Sequence, residues 1–235
     1  MSPTDDRRGV VIIGAGGHAR EVLEALEAAT RAGAPFEALG YVVDPRFAQA
    51  GTAINGKPIL GGLDWFKTQP PGTEAVCAVG APDVRRRLTI RAAAEGARFG
   101  TVVHPSTLIT SRVVLGSGVV ILAGSVLTVQ VKVGNHVHVN LACTIAHDSV
   151  IHDYATLGPG VRLSGRVTVG EGAFVGTGAT VLEKICIGAW SVVGAGAVIT
   201  RDVPPNSTVV GVPGRVIKTR ADGWQFHDEA GERAR

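Results

Sequence analysis

An α/β domain followed by a parallel β-helix is the fold class this sequence predicts, and three observations predict it. Counting in sixes from Val103 meets an aliphatic residue seventeen times in succession, ending at Ile199. Four residues after each of these comes a second set, from Thr107 to Val203, that is apolar or small throughout. Ahead of both, residues 8–98 alternate short apolar runs with stretches of helical periodicity. A helix spaces its apolar residues by three and four, and an amphipathic strand alternates them. A period of six is neither. It marks a coil with three flat sides, in which each aliphatic residue points inward and stacks on its equivalent one turn away. Such repeats bury their inner face only by stacking on neighbours, and a sandwich would reach this register by accident. Glycine recurs at the second position, at Gly116, Gly134, Gly158, Gly170, Gly176, Gly188 and Gly194. There it is expected to give the backbone freedom to turn the corner.

The elements follow in order. Val10-Val11-Ile12-Ile13 predicts a buried strand, and Gly14-Ala15-Gly16-Gly17-His18-Ala19 a turn into a helix with Val22, Leu23 and Leu26 on one side. A second strand over 39–43 ends in Asp44, and a short strand at Ile59-Leu60 precedes a helix around Trp65-Phe66. A third main strand over 75–79 is closed by Gly80-Ala81-Pro82, and a basic helix over 83–94 leads through 99–103 into the coil. Strands alternating with helices indicate a parallel sheet covered on its faces, about half of a full dinucleotide-binding fold. The expected units are residues 8–100, a β-helix over 101–218, and a polar tail over 219–235 that is apolar only at Trp224 and Phe226.

Composition narrows the function classes. A net charge of +3 is too mild for a nucleic-acid partner, and the basic residues are scattered apart from Arg85-Arg86-Arg87. Cys77, Cys143 and Cys186 have no metal or disulfide spacing, with Cys143 on an inward position and Cys186 on an outward one. They read as free thiols in a reducing cytoplasm. Residues 1–8 are polar and charged, unlike a secretory signal. No apolar run approaches the ~20 residues of a membrane helix. No His, Asp and Glu cluster has ligand spacing, so no metal is expected.

Two stretches could carry chemistry. The Gly14-x-Gly16-x-x-Ala19 turn lies where a phosphate-binding loop belongs, with free N–H groups at a helix start. It fits NAD, a nucleotide carried by a substrate, or a tight turn that packs a helix on a sheet. Asp44 at the end of the second strand could bind a ribose or base, or serve turn chemistry before Pro45. Arg85 could meet a substrate pyrophosphate or lie on the surface. His147 sits at the third position of its hexapeptide, outside the coil, with Asp148 beside it. An imidazole of ordinary pKa near 6.5 suits proton removal from an amine or hydroxyl. His104, His136, His138 and His152 also occupy outward positions, and periodicity alone does not choose among them.

A short α/β domain and three motifs together carry a resemblance: Ile12-Ile13-Gly14-Ala15-Gly16-Gly17-His18-Ala19, Val103-His104-Pro105-Ser106 and, in the hexapeptide coil, Ile145-Ala146-His147-Asp148, while Val210-Gly211-Val212-Pro213-Gly214-Arg215-Val216-Ile217 resembles the end of many hexapeptide acyltransferases. Over residues 10–218 the chain resembles the sialic-acid O-acetyltransferase-like (NeuD/PglD-like) family of bacterial sugar acyltransferases. Its members include N-acetyltransferases of UDP- or GDP-linked 4-amino-4,6-dideoxy sugars. The resemblance implies a left-handed β-helix, a homotrimer, and acetyl-CoA as co-substrate lying along the β-helix between subunits. It implies His147 as catalytic base, Asp148 as its acid partner, and Asn140 near the reaction centre. It maps the nucleotide of the sugar substrate to Gly14, Gly16, Gly17, His18 and Asp44. Several relatives carry a second histidine against the acetyl donor where this chain has Thr156, whose hydroxyl could serve instead.

Transfer is then direct, with His147 deprotonating the acceptor as it attacks the thioester. Backbone N–H groups near Gly158 or Gly176 are expected at the oxyanion, with Gly194 continuing the donor-binding column and Arg215 and Lys218 near the 3′-phosphate of coenzyme A. The latter two read equally as a solvated exit from the solenoid. Three rivals remain: O-acetylation of a sialic-acid-like sugar, a trimeric scaffold without catalysis, and an NAD-dependent oxidoreductase. The last leaves the solenoid unexplained.

Overall fold

In a computed structural model that describes residues 7–47, 49–70 and 72–226, the α/β unit comes first. It comprises β1 (Arg8–Ile13), α1 (Gly17–Arg31), β2 (Phe36–Val42), β3 (Ala53–Ile54), β4 (Lys57–Gly61), β5 (Glu74–Cys77), α2 (Pro82–Ala94) and β6 (Arg98–Phe99), with a 3-10 turn over Leu63–Thr68. The sheet runs β3-β4-β2-β1-β5-β6, parallel except between β3 and β4. Chain order reverses beside β1, so the Gly14 turn opens at a switch point, where ligands of open α/β sheets bind. The helix α1 forms because Ala19, Val22, Leu23 and Leu26 share a buried stripe. Pro82 opens α2, where its missing N–H costs nothing. β5 stops at Cys77, two residues short of expectation. The carbonyls of Val79 and Gly80 turn instead to the Arg85 side chain, at 2.8 and 3.2 Å.

The second unit is a parallel β-helix of two-residue rungs. Its first side stacks the rungs at 102–103, 120–121, 138–139, 156–157, 174–175 and 192–193, continued by Ser207–Val210 and the antiparallel Arg215–Thr219. The second side runs from 108–109 to 198–199 and the third from 114–115 to 186–187. Rungs pair in strict register one turn apart, Val103 with Ile121 and Ile121 with Val139. Both inward columns are as expected: Ile121, Leu127, Val139, Ile145, Leu157 and Val175 are fully buried, as are Ser125, Cys143, Ser149 and Ala155. Each fully buried aliphatic contributes ~1.5–3 kcal/mol.

The corners correct one expectation. The residue with positive φ is the fourth of each hexapeptide, in fourteen successive repeats from Gly118 to Gly196, and eight of these are not glycine. What holds them there is a ladder: the fourth-position N–H donates to the third-position carbonyl of the preceding coil, as from Asp148 to Val129 at 3.1 Å and from Arg166 to His147 at 2.8 Å. The second-position glycines serve another purpose. A Cβ on Gly170 would lie 2.5 Å from the backbone nitrogen of Ala189, and one on Gly176 2.6 Å from that of Ala195. They let the next coil approach.

The tail is described only to residue 226, where a 3-10 turn spans Trp224–Phe226 and the Trp224 indole donates to Asn206 Oδ1 at 3.1 Å. The expected tail beyond it, 227–235, and the first six residues lie outside the described residues.

Candidate active site

The α/β unit sits on the first side of the β-helix. Val102, Val120 and Leu122, outside the coil, share one buried cluster with Val22, Leu26 and Tyr41. This packing puts the Gly14 turn and the start of α1 over the first corner. Gly14 has φ 107° and would press a Cβ to 3.2 Å from the Val79 side chain, so it is a tight-turn glycine. Gly16 and Gly17 are exposed, with open space beside Gly16. Between α1 and the corner runs an open groove of about 510 Å³, lined among others by Gly17, Arg20, Glu21, Asn55, His104 and Leu141. Arg20, Glu21 and Asn55 carried no sequence signal, because nothing in the periodicity says which side of α1 faces the coil.

Other expected substrate residues are placed differently. His18 turns into the seam between the units, with Nε2 3.1 Å from His138 Nδ1 and Nδ1 3.2 Å from Glu21 Oε2. Both ring nitrogens are engaged within the protein. Burial lowers its pKa and the Glu21 carboxylate opposes that. Asp44 Oδ1 accepts from the Arg46 backbone N–H at 3.0 Å, closing a turn two residues long, and both its oxygens accept from the Arg46 guanidinium. Those hydrogen bonds hold its carboxyl at about 2. The geometry is that of the turn alternative, and a ligand would have to displace Arg46.

Arg85 is neither on the surface nor facing a substrate. It is fully buried between α2 and the β-helix. Nε donates to the His136 carbonyl at 2.8 Å, Nη1 to Val79 and Gly80, and Nη2 to the carbonyls of Tyr154 and Ala155 and to Thr156 Oγ1. All five N–H donors are used, those of Nε and Nη2 across the seam to the β-helix and those of Nη1 mainly within the α/β unit. Burial pulls its pKa to about 10, so it remains a cation at neutral pH. Thr156 is corrected by the same contact. Its hydroxyl accepts from Arg85 and donates to the Gly80 carbonyl at 3.0 Å, and only 3 % of the residue is exposed, so it faces no acetyl donor. His136 and His138, expected outside, are covered by the α/β unit. His138 Nδ1 lies 3.4 Å from Arg85 Nη1 and accepts from it, which requires a neutral ring, in keeping with a pKa that burial drives well down.

His147 is where the hexapeptide frame put it, on the second corner and half exposed. Its Nδ1 lies 2.8 Å from Asp148 Oδ2. The carboxylate accepts, which fixes the proton on Nδ1 and leaves the lone pair on Nε2. Asp148 holds φ 59°, a conformation Asp tolerates better than bulky residues do. This is an oriented imidazole. Asn140 does not meet it: it lies on the first corner, with Oδ1 accepting from the Leu141 N–H at 3.0 Å, and the whole second side intervenes. Gly158, Gly176 and Gly194 form a column on the first corner, and coil stacking accounts for their lack of side chains. Arg215 and Lys218 are exposed on the terminal hairpin, apart from His147 in the chain's fold. Cys77 and Cys143 are buried, with thiols pushed up to about 12 and about 11, so neither is a nucleophile.

Comparison with known proteins is consistent with this architecture. Residues 9–92 match the PglD N-terminal domain and residues 166–201 six repeats of the bacterial transferase hexapeptide. GDP-perosamine N-acetyltransferase of Escherichia coli O157:H7 is 29% identical over 164 residues, 69% of this chain and 72% of the relative. The crystal structure of PerB from Caulobacter crescentus, in complex with CoA and GDP-perosamine, superposes with a TM-score of 0.80 at 34% identity, covering 89% of this chain and 97% of that one. That enzyme has also been solved as histidine-to-asparagine and histidine-to-alanine variants with the same two ligands. The acetyltransferase domain of PglB from Neisseria gonorrhoeae, in complex with acetyl coenzyme A, gives 0.81 at 31% identity over 90% of this chain and all of that one. With a PglD-type domain joined to hexapeptide coils, and near-full-length relatives above 30% identity, the chain belongs to the hexapeptide-repeat sugar acetyltransferases of the PglD type.

Proposed function

We propose that this protein transfers acetyl from acetyl-CoA to the amine of a nucleotide-linked 4-amino-4,6-dideoxy sugar, as a cytoplasmic homotrimer. The observation that carries the reading is the His147–Asp148 pair, an imidazole held by its Nδ1–H at 2.8 Å with Nε2 presented at an open corner. The neutral sugar amine attacks the thioester carbonyl, Nε2 takes the proton that the nitrogen sheds, and coenzyme A leaves as thiolate, to be protonated from the same imidazolium. Asp148 stabilises the imidazolium while it exists. The Gly14–Gly17 turn and the groove beside α1 take the nucleotide sugar, with the pyrophosphate near the N–H groups that open α1. Much of the acceleration then comes from holding the two substrates together, worth up to ~7–11 kcal/mol for a well-oriented pair.

The placement of these parts supports a shared site in the proposed trimer. In one chain the groove opens on the first corner and His147 on the second. A second copy that brings its second corner to the first corner of its neighbour unites them, and sets Asn140 of one copy by the imidazole of the other. The exposed Arg215 and Lys218 remain available to the donor's phosphates. Relatives solved with CoA and GDP-perosamine support both ligand classes. The test is a screen of GDP-, UDP- and dTDP-linked 4-amino sugars with acetyl-CoA, reading thiol release and the mass of the product. Acetylated amine is expected from at least one. Turnover only with hydroxyl acceptors, or full activity in a monomeric species, would overturn the reading.

A further inference from the structure

Gly165 occupies the third position of its hexapeptide, on the second corner, one coil after His147. Of the seventeen third positions in the repeat, it is the one filled by glycine. The same row on the same corner carries Ser111, Val129, His147 and Glu183. The corner therefore accepts a side chain there. Nor does the backbone require glycine, since the left-handed residue of that corner is the next one, Arg166, at φ 58°. The three atoms nearest a Cβ there are all side-chain atoms, whereas at the second-position Gly170 and Gly176 they are backbone of the next coil. The atoms that a Cβ on Gly165 would meet belong to the imidazole of His147: Nε2 at 2.5 Å, Cε1 at 2.6 Å and Cδ2 at 3.2 Å.

We propose that Gly165 is a positioning residue for the acetyl transfer: its missing side chain is the seat in which the His147 ring lies across the corner. The inference rests on His147 being the base. Asp148 fixes one end of the ring through Nδ1, and the floor at Gly165 fixes the height of the other end, where the lone pair of Nε2 receives the proton. Both supports are needed, because a half-exposed imidazole held at a single nitrogen is free to swing about χ1 and χ2. A methyl group at 165 closes the seat at low cost to the fold. The clashing atoms are the far end of a flexible side chain beside solvent, and it moves away. The cost falls on catalysis, where a displacement of about 1 Å is worth about 100-fold.

The experiment is a double-mutant cycle in the full chain, with the acceptor sugar and acetyl-CoA of the parent assay. Gly165→Ala is expected to lower kcat about 100-fold, leaving the acceptor KM within about twofold and the thermal midpoint unchanged. Added to His147→Asn, the same substitution is expected to cost nothing further, because the ring it displaces is no longer the base. A purely structural effect would lower the residual activity of His147→Asn by the same factor as it lowers wild type, and that result overturns the proposal. So does Gly165→Ala with wild-type kcat while His147→Asn is inactive. If His147→Asn itself retains full turnover, it is the assignment of the base that fails, and the cycle shows which of the two statements was wrong.

Discussion

Replacing Arg85 with Met tests how the two units are held together. The substitution keeps most of the stem and removes a guanidinium that donates across the seam to two successive coils. It leaves the carbonyls of Val79, His136 and Tyr154 without this donor, the His136 contact fully buried and the other two part-buried. Each orphaned buried acceptor costs roughly 1–3 kcal/mol. Against that stands the recovered desolvation of a buried cation, the same burial that draws its pKa to about 10. The balance expected for breaking a buried charged contact is ~3–5 kcal/mol. At roughly 2–4 °C per kcal/mol for a chain of this size, the thermal midpoint drops by about 6–20 °C. Arg85→Lys should fare little better, since an ammonium cannot span partners on both sides of the seam. The assay is calorimetry, which also reports whether the α/β unit melts ahead of the coils. A midpoint within about 2 °C of wild type for Arg85→Met would refute this account of the joint.

Two further outcomes follow. His147→Asn should keep the fold and lose about 10²–10⁴ in kcat, the range of a general base, as read by thiol release beside an unchanged melting curve. Stability should fall with acid through the histidines of the seam. His136 is held neutral by burial, which lowers its pKa from 6.5 to about 4, with Arg85 acting in the same direction. Between those values the unfolded chain binds the extra proton, so the contribution is whole above pH ~6.5 and is lost as pH falls towards 4. The shift corresponds to up to about 3 kcal/mol. A plot of thermal midpoint against pH should steepen in that window and flatten in His136→Phe, which keeps the ring stack on Tyr154 at 5.1 Å. Equal slopes in the two proteins would count against it.

The coil was legible in the sequence because its inner columns answer to one physical demand. Every side chain that points inward must be apolar or small, so Val103 to Ile199 and their partners four residues on spell the frame. His147 was legible for the same reason, as the frame puts it outside with Asp148 next to it. What covers the outside was not legible. His138 and Thr156 lie on outward positions, yet the α/β unit buries them. No local pattern says which of three sides that unit will choose. Arg85 illustrates the limit: its partners on the β-helix are 51 to 71 residues away, and a basic helix reads as a solvated one until they are known. The second-position glycines are plain in the sequence but their cause is not, because φ and close approach leave the same mark on it. Gly165 could have been found. It breaks its own row, and the residue one coil before it is His147, the proposed base.

The docking of the α/β unit also determines where chemistry can occur. It consumes the outward row of the first side, Val102, Val120, His138 and Thr156, and leaves the other two sides with exposed outward residues, such as Leu108, Thr144 and Arg162 on the second and Val114, Lys132 and Cys186 on the third. An extended donor therefore has no path along the first side beneath that unit. The groove faces the first corner, and one whole side separates it from the imidazole. For the base to sit in the groove of its own chain, the coil would have to place position 147 one hexapeptide earlier, on the corner that carries Leu141. The register runs unbroken from residue 103 to residue 199, so no such slip is open to it. Under the proposed reaction a copy with His147 in place is thus incomplete, and it is the packing of a second copy that turns an oriented imidazole into a working one.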